Sequence, residues 1–285
     1  MKADKPAGGP NQQPSCGEVE TKSFRRLIYD HFRGHGRQLP WRETFDPYAI
    51  LVSEIMLQQT QVDRVRDKYR EFLAVFPGFA ELARAELSQL LSVWQGLGYN
   101  RRALSLRLCA QGVVDRFAGR LPEAVADLET LPGIGPYTAR AVAAFAFGEA
   151  TPFIETNIRS VYLHHFFPER AAVKDSEILP LVERTLDREK PRDWYYALMD
   201  YGAMLKKTRV NPSRMSAHHA RQSPFKGSNR EQRSLILGSV LAAPGITEAD
   251  LVDALAGDAA SVNRNLLQLE REGFIREECG RFSIR

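Results

Sequence analysis

The stretch LETLPGIGPYTARAVAAFAFG sets Pro132, Gly133, Ile134 and Gly135 between two segments of helical periodicity. The glycines stand where a tight turn needs positive φ or a close backbone approach. Such a turn aims main-chain N–H groups outward at the start of the next helix. With the helix macrodipole behind them, they form a compact anion site that suits a DNA phosphate, held without any side chain reading sequence. The alternative is a plain helix–turn–helix joint. A second residue with chemical potential is Glu54, in LVSEIMLQQ. An apolar setting of this kind raises the pKa of a carboxyl and leaves it able to donate a proton, whereas a lone Glu on an amphipathic helix is ordinarily a solvated surface charge.

These residues need a frame, and the chain has the material for one. It has 285 residues, 44% of them hydrophobic, enough to bury a good core. Helical periodicity starts near Phe24 and recurs in FRRLIYDHF, YAILVSEIMLQQ, VDRVRDKYREFLAVF, LSQLLSVWQGLG, RRALSLRLCAQGVVDRF and TARAVAAFAFG, so the body reads as mainly α. Residues 1–20, rich in Gly, Pro, Gln and Lys, read as a disordered tail. From Lys206 to Arg233 the periodicity fades into a basic loop with eight Lys or Arg against one acid, Glu231, and residues 223–229 read as a linker.

Residues 230–285 read as a small winged-helix domain. NREQRSLILGSVLAA and TEADLVDALAG give helices, the second opened by Thr247 and Asp250 in a capping box. A third helix starts near Ala259 and stops at Gly273, and FIREECGRFSI forms a hairpin about Cys279-Gly280. The longest apolar runs, such as Ala141 to Phe147, are far short of the roughly 20 residues of a membrane span, and the first residues carry no apolar signal core. The expectation is a bacterial protein of cytoplasm and nucleoid, with no membrane partner. Cys16, Cys109 and Cys279 lie too far apart for a disulfide framework or close metal ligands. A net charge of +4 permits a polyanionic partner.

Five strings, LPWRETFDPYAILVSEIMLQQTQVDRV, LSVWQGLGYNRRALSL, LPGIGPYTARAVAAFAFG, PFIETNIRSV and MDYGAML, follow one another between Leu39 and Leu205. In that order they resemble the helix-hairpin-helix (HhH-GPD) DNA glycosylases, and among them the MutY-type adenine glycosylases. The resemblance implies two helical lobes over residues 21–222. One lobe carries the hairpin at 128–140, the other is built from both ends of the domain, and the base pocket lies in the cleft.

The resemblance also implies roles. Cleaving a purine's glycosidic bond builds positive charge on the sugar and negative charge on the leaving base, and two carboxyls can divide those tasks. Glu54 matches the general acid that protonates the adenine ring. Glu155 stands where the family has an aspartate that stabilises the oxocarbenium-like sugar. There the family pattern continues with Gly and Asn, and this chain with Thr156 and Asn157. The extra methylene moves the charge by roughly 1 Å, a displacement that costs about a hundredfold in rate unless the pocket compensates. Asn157 matches the residue orienting that carboxylate. Tyr137 occupies the hairpin position of the Schiff-base lysine of bifunctional relatives, so base removal without strand cleavage is expected.

Gln59 and Tyr99 match wedges that fill the hole left by a flipped base. The DNA contacts implied are Gln58, Gln59, Thr60, Tyr99, Asn100, Arg101, the hairpin residues Gly133, Gly135, Tyr137 and Thr138, and Arg159. Arg102 and Arg140 are further candidates for phosphates. For Asn157 and Tyr137 the plainer alternatives are a helix cap and a packed aromatic.

The chain departs from the family twice. Many relatives carry a four-cysteine iron–sulfur loop after MDYGAML. Here the loop reads LKKTRVNPSRMSAHHARQS, without cysteine, and His218 and His219 are adjacent, so neither cluster nor other metal nor cofactor is expected. Its basic residues are candidates to replace the cluster loop's DNA contact. Second, the domain related to nucleotide-sanitising enzymes is replaced by the winged helix. That module would either lay Asn263, Arg264, Asn265 and Gln268 in the major groove or bind other repair proteins.

The resulting expectation is a monomeric, monofunctional glycosylase that excises a mispaired or damaged purine, adenine or a deaminated one, from duplex DNA. The alternatives are a uracil/thymine mismatch glycosylase and a non-catalytic DNA-binding protein.

Overall fold

In a computed structural model, the described residues are 17–168, 170–219, 224–255 and 257–285. They group into two compact units, one from the described parts of 1–37 and 148–220, the other from those of 38–147 and 221–285. The chain opens in the first unit with α1 (Glu18–His35). In the second it forms α2 (Pro47–Leu57), α3 (Val62–Val75), α4 (Phe79–Arg84), α5 (Leu87–Trp94), α6 (Arg101–Phe117), α7 (Val125–Leu128) and α8 (Pro136–Phe147). The first unit is completed by α9 (Thr156–Phe166), α10 (Asp175–Thr185) and α11 (Pro191–Thr208). The chain ends in the second unit with α12 (Asn229–Ala242), β1 (Ile246–Thr247), α13 (Glu248–Leu255), α14 (Ala259–Arg271), β2 (Ile275–Glu278) and β3 (Arg281–Ile284). The fold is mainly α, as the periodicity predicts.

α1 begins inside the segment expected to be a disordered tail. The Glu20 carboxylate accepts from the Gly17 N–H at 2.8 Å, and Phe24 and Ile28 are buried one turn apart, so the stretch gains both a cap and a buried face. Residues 1–16 lie outside the described ones. The core of the first unit is aromatic: Phe24 meets Tyr162 at 5.6 Å and Trp194 at 5.9 Å between centroids, and Phe153 stacks on Tyr195 at 3.9 Å. α11 also runs further than expected, to Thr208, so Lys206 and Lys207 are helical.

In the second unit α2 is buried from Tyr48 to Met56, apolar but for Ser53 and Glu54, and its start is fixed by Asp46, which accepts from Tyr48 N and Ala49 N, and by Pro47 at the first helical position. One apolar cluster runs from Leu39 through Trp94 and Val142 to Ile236, Leu266 and Phe282. The C-terminal segment, read from sequence as a domain of its own, thus shares its core with the hairpin segment. Its helices α12, α13 and α14 and the sheet β1-β3-β2 are the elements a winged helix requires. Thr247 and Asp250 exchange bonds: Asp250 N donates to Thr247 Oγ1 and Thr247 N to Asp250 Oδ2, each at 3.2 Å. Glu278 pairs with Arg281 across Cys279 and Gly280, which have φ of 53° and 75°, the conformation a two-residue primed turn needs. Beyond the hairpin read from sequence, β1 adds a third strand, antiparallel to β3. Among the described residues no helix is long and apolar enough to cross a membrane.

Candidate active site and DNA interface

The hairpin turn lies between α7 and α8. Gly133 has φ 79°, and a Cβ there would stand 2.7 Å from Ser105 Cβ, so α6 and the turn meet at a glycine for two reasons. Gly135 differs from the expectation: its φ is not positive, and a Cβ would meet nothing within 4 Å. Its carbonyl accepts from Ala139 N at 2.9 Å and so starts α8, with Pro136 at the first helical position.

α8 packs on α2, and that contact joins two residues expected to act together. The Tyr137 hydroxyl donates to Glu54 Oε2 at 3.1 Å, and Glu54 is 7% exposed. A carboxyl held this far from solvent is costly unless it is hydrogen-bonded or has a task. One residue further along, Thr138 is buried and accepts from Gln58 Nε2 at 3.2 Å. Thr138 is therefore a tie between α8 and the end of α2, not a surface for DNA.

Past Gln58 the chain reverses at Gln59, which is exposed with φ 54°. Arg102 holds this reversal. Its Nη1 donates to the carbonyls of Ile55, Met56 and Gln58 at 2.5–2.9 Å, and its Nη2 to Thr60 Oγ1, Leu97 O and Gly98 O at 2.9–3.2 Å. A guanidinium suits this position because its fork reaches several acceptors at once. Burial lowers its pKa to about 10, so it remains charged at neutral pH. Arg102 thus caps α2 and ties it to the GLGYN loop rather than waiting for a phosphate.

Tyr99, the second wedge, has φ 48°. Its hydroxyl accepts from Arg230 Nη1 of α12 at 2.7 Å, and the Arg230 and Arg102 guanidiniums lie 5.2 and 5.5 Å from its ring centroid. Arg101 is exposed and shares Glu272 with Arg233. Asn100, half-buried, gives its carbonyl to Ala103 N at the start of α6. A cavity of about 970 Å³ in this unit is lined by Gln58, Gln59, Thr60, Tyr99, Asn100 and Arg101 on one side and by Arg230 and Gln268 of the C-terminal helices on another. Glu54 and Tyr137 do not line it.

In the first unit, Glu155 is the N-cap of α9. Its Oε1 accepts from Asn157 N at 2.7 Å and Ile158 N at 2.9 Å, and its Oε2 from Asn157 Nδ2 at 3.3 Å. The cap is thus Glu155 itself, not Asn157. The carboxylate folds back over the first turn, where the helix dipole favours an anion. Four lone-pair sites less three bonds leave Oε2 one direction to accept from. Asn157 Oδ1 accepts from Lys206 Nζ at 2.9 Å. Arg159 is bound in a fork to Asp175, Nε to Oδ1 at 2.7 Å and Nη2 to Oδ2 at 2.6 Å, so its charge is already paired. Arg140, on the surface of α8, likewise pairs with Glu129.

The C-terminal residues expected in a major groove are not all presented. Asn265 is 3% exposed and donates to Asn229 Oδ1 and Gln232 Oε1 of α12, a polar tie between two helices, and Asn263 bonds Glu248. Arg264 and Gln268 are exposed. His218 and His219 are exposed, and among the described residues no group of three or more metal-ligand side chains converges. Lys206, Arg230 and Gly202, which sequence reading did not single out as site residues, all contact ones that it did. For Lys206 and Gly202 the usable signal was their i, i+4 spacing on one face of α11.

Comparisons with known proteins identify the family. Residues 52–183 match the family described as HhH-GPD superfamily base excision DNA repair protein. The chain is 32% identical over 297 residues to an adenine DNA glycosylase of Mycobacterium tuberculosis, covering 95% of this chain and 96% of that one. It is also 32% identical over 195 residues to a thymine/uracil-DNA glycosylase of Pyrobaculum aerophilum, covering 64% of this chain and 83% of the other. Among solved structures, a thermostable thymine-DNA glycosylase superposes with a TM-score of 0.60 at 27% identity, over 67% of this chain and 90% of that one. The chain belongs to the HhH-GPD superfamily of base excision DNA repair proteins.

Proposed function

We propose that the protein is a monofunctional adenine DNA glycosylase acting on duplex DNA that carries adenine opposite a damaged or mismatched base. The observation that carries the reading is the buried Glu54 with the Tyr137 hydroxyl 3.1 Å from its Oε2. An acid shielded from water suits proton delivery to a purine ring nitrogen, a demand that a pyrimidine leaving group makes far less. The near full-length likeness to adenine glycosylases supports the same choice.

In this reading Glu54 gives its proton to the adenine as the C1′–N bond breaks and the bonding pair leaves with the base. Glu155 faces the positive charge left on the sugar, oriented by its three N–H donors, and water adds at C1′ and releases its spare proton to solvent. The products are free adenine and an abasic site. Tyr137 in the hairpin offers no amine, which supports base removal without strand cleavage. Gln59 and Tyr99 fill the gap in the stack, and the cavity beside them gives the C-terminal helices a place against the opened DNA. The reading includes a monomer with no iron–sulfur cluster.

A second reading, thymine or uracil removal opposite guanine, is favoured by the thymine-DNA glycosylase structure and the archaeal relative. Single-turnover cleavage after hot alkali separates the two, on labelled duplexes with adenine opposite 8-oxoguanine or guanine, hypoxanthine, or uracil or thymine opposite guanine. Cleavage confined to adenine duplexes is expected, with no borohydride-trapped covalent complex. Cleavage of uracil or thymine alone establishes the second reading, and a trapped complex removes the monofunctional assignment.

A further inference from the structure

α11 brings Lys206 to the start of α9, where its half-buried ammonium donates to Asn157 Oδ1 at 2.9 Å. Lysine has donors and no acceptor, so only the oxygen of the Asn157 amide can face it. The other end of the same amide, Nδ2, then must point at Glu155 Oε2, 3.3 Å away. We propose that Lys206 is a positioning residue for Glu155: by fixing which way the Asn157 amide faces, it holds the carboxylate in one orientation.

Without the ammonium the amide can turn over and set its oxygen against the carboxylate, which then loses a donor and a fixed direction. The charge fits the role as well as the geometry. Arg159, the other cation close by, also interacts with Glu155 but is bound in a fork to Asp175, whereas Lys206 reaches Glu155 through the Asn157 amide. Burial draws the lysine's own pKa down while Glu155 pulls it back up.

The rate effect rests on the glycosylase reading, but the orientation of the amide does not, so two readouts are made. In the full-length protein, the Asn157 side-chain amide resonances, assigned through Asn157→Asp, are expected to shift in Lys206→Met and to stay in place in Lys206→Arg. On the adenine duplex, Lys206→Met is expected to slow single-turnover cleavage about tenfold or more with duplex affinity within about threefold, and Lys206→Arg to recover most of the rate. If Lys206→Met fails to fold, Lys206→Gln, shorter and uncharged, takes its place with the same expected outcomes. Unmoved Asn157 resonances overturn the proposal whatever the activity. A loss carried wholly by affinity also overturns it, because it makes Lys206 a phosphate contact. If the unaltered protein cleaves no duplex, the function reading falls, and the resonances alone decide the role of Lys206.

Discussion

A methyl group on Gly202 would stand 2.3 Å from the backbone oxygen of Asn157 and 2.8 Å from its Cβ. α11 and α9 therefore touch at backbone distance beneath the residue that orients Glu155. Helix propensity alone would make Gly202→Ala stabilising by about 1 kcal/mol, but the overlap forces the helices apart at a cost of about 1–3 kcal/mol, so the clash wins. We expect a lower melting temperature and, because Asn157 and Glu155 ride on the displaced turn, a loss of about a hundredfold in cleavage rate. A variant that melts higher and cleaves normally would show that the approach is not needed.

Arg102 contributes stability, not affinity for DNA. Arg102→Met strands acceptors at the end of α2 and in the GLGYN loop and should cost roughly 3 kcal/mol in urea unfolding. Arg102→Lys should recover little, since one ammonium cannot span six acceptors. A variant of unchanged stability but weaker, less salt-dependent DNA binding would return Arg102 to the phosphates.

The sequence carried the architecture further than the contacts. Helical periodicity, the Pro-Gly-Ile-Gly turn and the Glu54 string were legible because burial imposes a period and a turn imposes its residues. The destinations of Arg102, Arg159 and Asn265 were not, because a polar side chain carries no mark of whether a carbonyl, a carboxylate or solvent will meet it. Glu155 looked like a displaced catalytic group, and its second role as the cap of α9 depends on how its methylenes fold back. Lys206 falls in a stretch whose charge density masks the last helical turn of α11.

His165 gives the first unit an acid-sensitive core. Burial first, and the neighbouring His164 second, pull its pKa to about 4, and it packs on Phe24 and Tyr201. The folded value lies below the unfolded value of about 6.5, so the unfolded chain binds the extra proton between those limits. The stability contributed is complete above pH 6.5 and is lost as the pH falls toward 4. His165→Phe should flatten that part of the melting-temperature profile, and an unchanged slope would assign the acid sensitivity to other groups.

Tyr137→Phe removes the hydroxyl that donates to Glu54 and little else. A hydrogen bond of this kind contributes about 1 kcal/mol, which predicts a roughly five- to tenfold slower cleavage with duplex affinity unchanged. A wild-type rate would reduce Tyr137 to a packed aromatic.

The central claim is that Glu54 and Glu155 perform the chemistry, and single-turnover cleavage of an adenine-containing duplex by Glu54→Gln and Glu155→Gln, beside their duplex affinities, tests it most directly. Both substitutions keep the side chain's shape, and in Glu155→Gln the remaining amide oxygen can still cap α9. Cleavage should fall by about a hundredfold or more in each, with affinity within about threefold of the parent. Normal turnover in either variant, or a loss explained by binding alone, would contradict the account.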